Sequence, residues 1–159
     1  MTSTLRQKML ILATVSGLAI SPLAISHFDD SQIPQSYRQS YFALLAGNFG
    51  PMAAMMKGEI PWNQEQFAAY SADLSAVATL NVERGFQAGS DKGTTRAKPE
   101  IWSNMADFES KLGDMRSATA ALEAAAASGD KEQITQAFGQ TGKSCKSCHD
   151  EYKSKDYLY

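Results

Sequence analysis

Apolar residues in this chain recur at steps of three and four in four separate segments, and each segment predicts a helix with one buried face. The first helix is expected over about Ser31 to Lys57, with Phe42, Leu45, Phe49, Met52 and Met56 as its inward stripe. A side stripe of Tyr41, Leu44 and Met55 lies next to it. Pro51 falls inside this helix, where a missing amide and a crowded carbonyl at Gly47 predict a kink. The second helix is expected from Asn63, an N-cap, to about Gly85, on a stripe of Phe67, Tyr70, Leu74 and Val77. The third runs from Pro99, in its first turn, to Ser128, and Gly129 closes it. Its stripe is Ile101, Met105, Phe108, Leu112, Met115, Ala118 and Leu122, with no polar interruption. The fourth runs from the N-cap Asp130 to about Lys155, on Ile134, Phe138, Thr141, Cys145, Cys148 and Tyr152. No strand alternation and no internal repeat interrupts this pattern. Four helices joined by three connections predict an all-α, antiparallel, up-down-up-down four-helix bundle. The longest connection, about Phe86 to Lys98, is rich in Gly, Ser and Thr and is expected along one end of the functional site.

The fourth stripe carries the chemistry. Cys145-Lys146-Ser147-Cys148-His149 is a Cys-x-x-Cys-His run, the attachment signal of a c-type haem. Each thiol can form a thioether with a haem vinyl group, and the adjacent imidazole is an axial iron ligand. The chain has no other cysteine. On a helix the two thiols sit one turn apart, and His149 follows Cys145 by four residues, so all three can point into the bundle together. Three other readings compete. A zinc site needs about four ligands, and only His27 is left to add to these crowded three. A thioredoxin-like redox pair wants a βαβ setting, which the pattern lacks. A Cys145–Cys148 disulfide is allowed in an oxidising compartment. The neighbouring histidine and the export signal described next favour haem.

The N-terminus reads as a secretory signal peptide. Arg6 and Lys8 precede an apolar run from Met9 to Ile20, too short to span a bilayer as a helix. Ser21-Pro22 breaks the run, and Ala24-Ile25-Ser26 offers small residues for cleavage after Ser26. The alternative is an uncleaved anchor. Residues 1–26 are thus expected to be removed, leaving one domain from His27 to Tyr159, located in the periplasm of a Gram-negative bacterium. Without Arg6 and Lys8, 13 basic residues face 17 acidic ones. That balance argues against nucleic acid or an anionic membrane as partner, and no membrane insertion is expected after cleavage.

Bundle geometry locates the far side of the haem. The first helix runs antiparallel to the last, so its opening turns lie level with His149. Arg38, Tyr41, Phe42 and Leu45 are therefore expected near the haem, with Phe42 inward. Met52 lies ten residues beyond Phe42, about 15 Å along the axis, too far to ligate the iron. The sixth coordination position is then open and crowded by an aromatic ring. Arg38 suits a haem propionate, whose carboxylate matches a guanidinium fork. Lys153 is expected beside the imidazole, and Trp102 and Tyr152 are expected as core aromatics near the haem.

These residues resemble a known family. Tyr37-Arg38-Gln39-Ser40, Asn48-Phe49-Gly50, Lys98-Pro99-Glu100-Ile101-Trp102, Ala137-Phe138-Gly139 and Cys145 to Lys153 together resemble cytochrome c′, the class II c-type cytochromes of bacterial periplasms. The likeness covers essentially the whole mature chain, and cytochrome c′ itself exemplifies the up-down-up-down topology. It implies one covalent haem c on Cys145 and Cys148, with His149 as sole protein ligand to a five-coordinate, high-spin iron. It implies Phe42 as the distal residue and Arg38 and Gln39 near the propionates; Leu45, placed near the haem by the bundle geometry, is expected on the same distal side. Phe86 is expected in the same haem environment, together with Tyr41, Trp102 and Tyr152. Lys153 stands where the family carries a basic residue beside the proximal histidine; arginine is frequent there, and lysine cannot stack on the ring as a guanidinium does. Pro51 departs from the family's usual first helix. The resemblance also implies a homodimer through the first two helices, for which the side stripe of Tyr41, Leu44 and Met55 is available.

Three functions compete on this basis. A crowded apolar pocket admits NO, and also CO, while disfavouring ligands that need hydrogen bonds. Any c-type haem can also carry electrons for a redox partner. A peroxidase would need a distal histidine or carboxylate, and none is placed for it. The chain is therefore expected to be a non-enzymatic haem protein.

Overall fold

The computed structural model describes residues 30–158; the expected signal peptide and His27 lie outside them. After a 3₁₀ turn at Asp30–Gln32 come four long helices: α1 (Ile33–Lys57), α2 (Gln64–Ala78), α4 (Met105–Ser128) and α5 (Lys131–Tyr152). A one-turn helix, α3 (Glu100–Ser103), precedes α4. α1 packs on α2, α2 on α4, and α4 on α5. This is the expected antiparallel four-helix bundle. None of the described helices is long and apolar enough to cross a membrane.

The caps follow local chemistry. Asn63 accepts from the Gln66 amide at 3.0 Å, and Asp130 accepts from the amides of Glu132 and Gln133 at 2.9 and 3.1 Å. Each satisfies donors that a helix start leaves orphaned. The backbone bonds of Asp130 and its Gln133 side-chain bond hold its carboxyl below the usual range. Gly58 and Gly129 end α1 and α4 with φ of 74° and 70°, the left-handed backbone that glycine adopts without a Cβ penalty.

The structure corrects three boundaries. α2 stops at Ala78, not Gly85. The carbonyls at and just past its end are taken from outside: Tyr41 Oη donates to the Ala78 carbonyl at 3.2 Å, while Arg116 Nε and Nη2 donate to those of Ala78 and Leu80 at 3.0 and 3.3 Å. The chain then makes a separate 3₁₀ turn, Val82–Phe86. The third stripe is broken at Asn104, whose φ of −137° and ψ of 44° separate α3 from α4. Its amide Nδ2 donates to Tyr152 Oη at 2.9 Å, and Tyr152 Oη donates to Asp107 Oδ2 at 2.6 Å. α5 ends at Tyr152, not Lys155, because Lys153 is extended and bridges antiparallel to Ala97. α1, by contrast, continues through Pro51. The Gly47 carbonyl that loses its partner there is exposed, so water can satisfy it.

The core is apolar and dense, with Met52, Phe67, Leu122 and Ile134 fully buried. Burying each such side chain stabilises the fold by about 1.5–3 kcal/mol. The side stripe is corrected here. Tyr41 and Met55 are 3 % and 5 % exposed and belong to this core; only Leu44, at 52 %, faces out. α2 packs against α1, and the Tyr41 hydroxyl reaches the Ala78 carbonyl at its end.

The long connection is tied to α1. Gln35 Nε2 donates to the Lys92 carbonyl at 2.7 Å, Gln39 Nε2 donates to the Thr94 carbonyl, and Gln32 Oε1 accepts from the Thr94 amide at 2.6 Å. Gly93 has φ of 80°, and a Cβ there would stand 2.2 Å from Gln32 Oε1. Only glycine fits that turn.

Candidate functional site

α1 and α5 meet through one aromatic pair, Phe49 and Phe138, stacked at 4.6 Å with planes 3° apart. Gly142 lies just beneath, where a Cβ would be 3.8 Å from the Phe49 ring tip. Beyond this contact, toward the start of α1 and the end of α5, a cavity of about 690 Å³ opens. That lies within the ~300–1,000 Å³ usual for cofactor sites. Seven residues before Phe49 is Phe42, and seven after Gly142 is His149; two antiparallel helices traversed equally from one contact leave those residues level.

Cys145, Cys148 and His149 share the α5 wall of this cavity. Both thiols are free and half-buried. Burial pushes the Cys145 thiol up and the Cys148 thiol up to about 11. Burial, then the charges of Lys153 and Arg96, pull His149 down, which favours the neutral imidazole a metal requires. Phe42 and Leu45 stand on the α1 wall, with Phe42 half-buried and Leu45 8 % exposed. Gln39, Phe86, Tyr152 and Lys153 also line the cavity. Burial, followed by the bond to Asp107, pushes the Tyr152 phenol up to about 12.

Arg38 is 2 % exposed. Its Nη1 donates to the Gly85 carbonyl at 2.7 Å and Ser90 Oγ at 3.2 Å; its Nη2 donates to the Ser90 carbonyl at 2.9 Å and Thr95 Oγ1 at 2.7 Å. The plane lies 5.1 and 5.4 Å from the ring centroids of Phe86 and Trp102. Gly85 is needed for this approach, since a Cβ there would come within 3.0 Å of Arg38 Cβ. Burial pulls the guanidinium down to about 10, against the raising charge of Asp91. Both Nη atoms are engaged by Gly85, Ser90 and Thr95, so a guanidinium fork to a propionate would require releasing them. Nε remains buried without a partner, in a residue that borders the cavity.

Two expected contacts shift outward. Tyr41 does not line the cavity; it packs edge-on against Phe42, ring centroids 5.1 Å apart, and spends its hydroxyl on Ala78. Trp102 stands behind Phe86, 5.7 Å between centroids, with its Nε1 donating to the Gln87 carbonyl at 2.9 Å. Conversely, Leu112, Met115 and Lys111 of α4, Thr95 and Ala97 of the connection, and Tyr157 of the tail line the cavity. The sequence marked Leu112 and Met115 as core stripe but gave no sign that this stretch borders a cavity. Met115 is three residues before Ala118, whose carbonyl accepts from Thr141 Oγ1 at 3.2 Å, so Met115 lies level with Ser144 on the neighbouring helix.

The residues fit a haem on three counts: an apolar cavity of the right size, two thiols and an imidazole on one wall, and an orphaned donor at Arg38. A helical bundle with Cys-x-x-Cys-His on its last helix, facing such a cavity, defines a c-type haem protein. The family profile described as Cytochrome C' matches residues 34–153. The cytochrome c′ of Rubrivivax gelatinosus is 42% identical over 120 residues, 75% of this chain and 92% of that protein. The cytochrome c prime structure from Shewanella frigidimarina superposes with a TM-score of 0.76 at 44% identity, covering 80% of this chain and 99% of that one. A nitric oxide complex of a cytochrome c prime mutant from Alcaligenes xylosoxidans gives 0.71 at 36% identity, covering 81% and 99%. A cytochrome c′ with ligand-controlled dimer dissociation gives 0.73 at 30%, covering 80% and 99%. The chain belongs to the cytochrome c′ family of non-enzymatic haem proteins.

Proposed function

We propose that the protein holds one haem c through thioethers to Cys145 and Cys148, with His149 as the only protein ligand to iron, and that it binds NO and CO on the opposite face. The haem supplies a strong bond to NO and a one-electron couple. The chain's residues do the rest. His149 presents a neutral nitrogen, the α1 wall excludes water, and Phe42 with Leu45 limits what can approach. The observation that carries this reading is that the residue level with His149 on α1 is a phenylalanine, which has no ligating atom. Met115, the one methionine among the described lining residues, belongs to the α4 side and is level with Ser144. Among the described residues no Asp or Glu lines the cavity and His149 is its only imidazole, so they offer no distal acid–base group for a peroxidase. The nitric oxide complex of the Alcaligenes xylosoxidans relative supports the same ligand here.

The absorption spectrum of the reduced holoprotein, with and without CO and NO, tests this. A low-spin spectrum with a sulfur-to-iron charge-transfer band would defeat it. Phe42→Ala should raise CO affinity and on-rate. The stability loss should be about 1–2 kcal/mol, below the ~3–5 of a fully buried ring, because Phe42 is half-buried. Unchanged CO binding in the folded variant would make Phe42 ordinary core.

We place the protein in the periplasm of a Gram-negative bacterium, with residues 1–26 removed as a signal peptide and the domain beginning at His27. The export-coupled chemistry of the haem motif and the bacterial relatives support this. We also propose a homodimer through α1 and α2. Its case rests on a surface different from the one the side stripe suggests: Ile33, Tyr37 and Leu44 on α1 and Leu80 after α2 are 64, 36, 52 and 48 % exposed. An isologous contact makes one substitution act twice. Leu44→Glu should therefore shift the protein to monomer while sparing the haem spectrum. Sedimentation of the wild type at micromolar concentration as a pure monomer would end the dimer reading.

A further inference from the structure

Two short basic segments meet beside His149. Arg96-Ala97-Lys98 lies against Lys153-Ser154-Lys155, joined by the Ala97–Lys153 bridge, by the Lys98 amide donating to the Tyr152 carbonyl at 3.0 Å, and by the Ser154 amide donating to the Arg96 carbonyl at 2.8 Å. All four cations line one open groove, and His149 lines it too. The groove is therefore continuous with the wall that carries the iron ligand. None of the four makes an ion pair among the described residues. The one carboxylate in the groove, Asp150, is paired with Lys146.

Two of the cations are held in place without being neutralised. Lys98 Nζ donates to the carbonyls of Asp150 and Glu151 at 3.4 and 3.0 Å, and Arg96 donates to those of Ser154 and Lys155. These are carbonyls at and beyond the end of α5, acceptors that a helix terminus leaves available. Lys153 and Lys155 are exposed. A fixed, unpaired positive cluster on a chain with more acidic than basic residues is a local exception to its overall charge. Such a cluster focuses the field and steers an oppositely charged partner.

We propose that this groove is the docking surface for an acidic one-electron carrier protein, which exchanges electrons with the haem past the His149 edge. The proposal rests on the haem assignment above and on the electron-transfer reading of it. One electron passes between the ferrous haem and the partner's oxidised centre, or back; no bond forms or breaks and no proton moves. A protein is favoured over a free anion because the groove is open and its outer lysines are exposed. It has no buried unpartnered donor of the kind that grips a small ion.

Stopped-flow oxidation of the ferrous holoprotein tests this, with an acidic plastocyanin and with hexacyanoferrate(III) as oxidants, at low and high salt. Lys98→Glu/Lys155→Glu should slow the plastocyanin reaction about tenfold or more at low salt and converge on wild type at high salt. Lys57→Glu, at the far end of α1, should stay within about twofold by the same screening argument. Carbodiimide coupling of carboxylates to lysines should join plastocyanin to Lys98, Lys153 or Lys155. Equal slowing by the groove and Lys57 variants, or cross-links elsewhere, would overturn the groove. Slowing of hexacyanoferrate(III) alone would make it a small-anion site and also overturn it. A wild type that exchanges electrons with neither oxidant would remove the electron-transfer reading, and the docking surface with it.

Discussion

Replacing both Cys145 and Cys148 by alanine should yield a protein whose haem is released completely by acidified organic solvent, whereas the wild type retains all of it. The thiols are the only two in the chain and share one wall of the cavity. With both removed, haem would be held, on the proposed assignment, by His149, the apolar walls and Arg38 Nε. Binding then becomes an equilibrium, and the stabilisation it gives depends on free haem concentration. The absorption spectrum of the double variant should stay close to wild type at excess haem, since its iron ligand is unchanged. Either single variant keeps one thioether and should retain haem on extraction. Two titratable thiols in the wild-type holoprotein would refute covalent attachment, as would a mature mass lacking one haem.

Arg38→Ala should destabilise the holoprotein by about 3–5 kcal/mol in urea unfolding, because it removes four hydrogen bonds of a buried guanidinium, worth ~1 kcal/mol each. The Gly85 and Ser90 carbonyls and Thr95 Oγ1 each lose their shortest donor and keep only a longer one, from Ser90 Oγ, Gln35 Nε2 and the Ala97 amide at 3.3, 3.5 and 3.1 Å. The effect reaches the site, because Thr95 and Ala97 line the cavity at the end of the segment Arg38 holds. Looser haem packing should follow, seen as broader CO-binding kinetics. Arg38→Lys should recover only a minor part, because one ammonium cannot replace a planar fork that reaches acceptors on two sides. A loss below about 1 kcal/mol would mean that the connection finds other donors or water when it opens.

The four helical stripes and the caps Asn63 and Asp130 were legible because they depend on local spacing and local hydrogen bonds. The end of α2 was not. It is set by Arg116, which is remote in sequence and donates to the carbonyls of Ala78 and Leu80. The break at Asn104 was hidden for a similar reason: the apolar period runs straight across it, while its side chain bonds Tyr152 on another helix. Tyr41 and Met55 were misplaced outward because a helix in a bundle has two neighbours, and one stripe cannot say how wide the buried arc becomes.

By itself, the sequence determined the bundle, the haem motif and the level of Phe42 opposite His149, because periodicity and helix rise turn residue number directly into position. Only the tertiary structure decided what Arg38 does, which α4 and tail residues face the cavity, and that Arg96, Lys98, Lys153 and Lys155 converge. Those outcomes depend on side chains meeting across more than fifty residues of chain. No local pattern encodes such a meeting, because it arises from which packed helix ends happen to share one end of the fold.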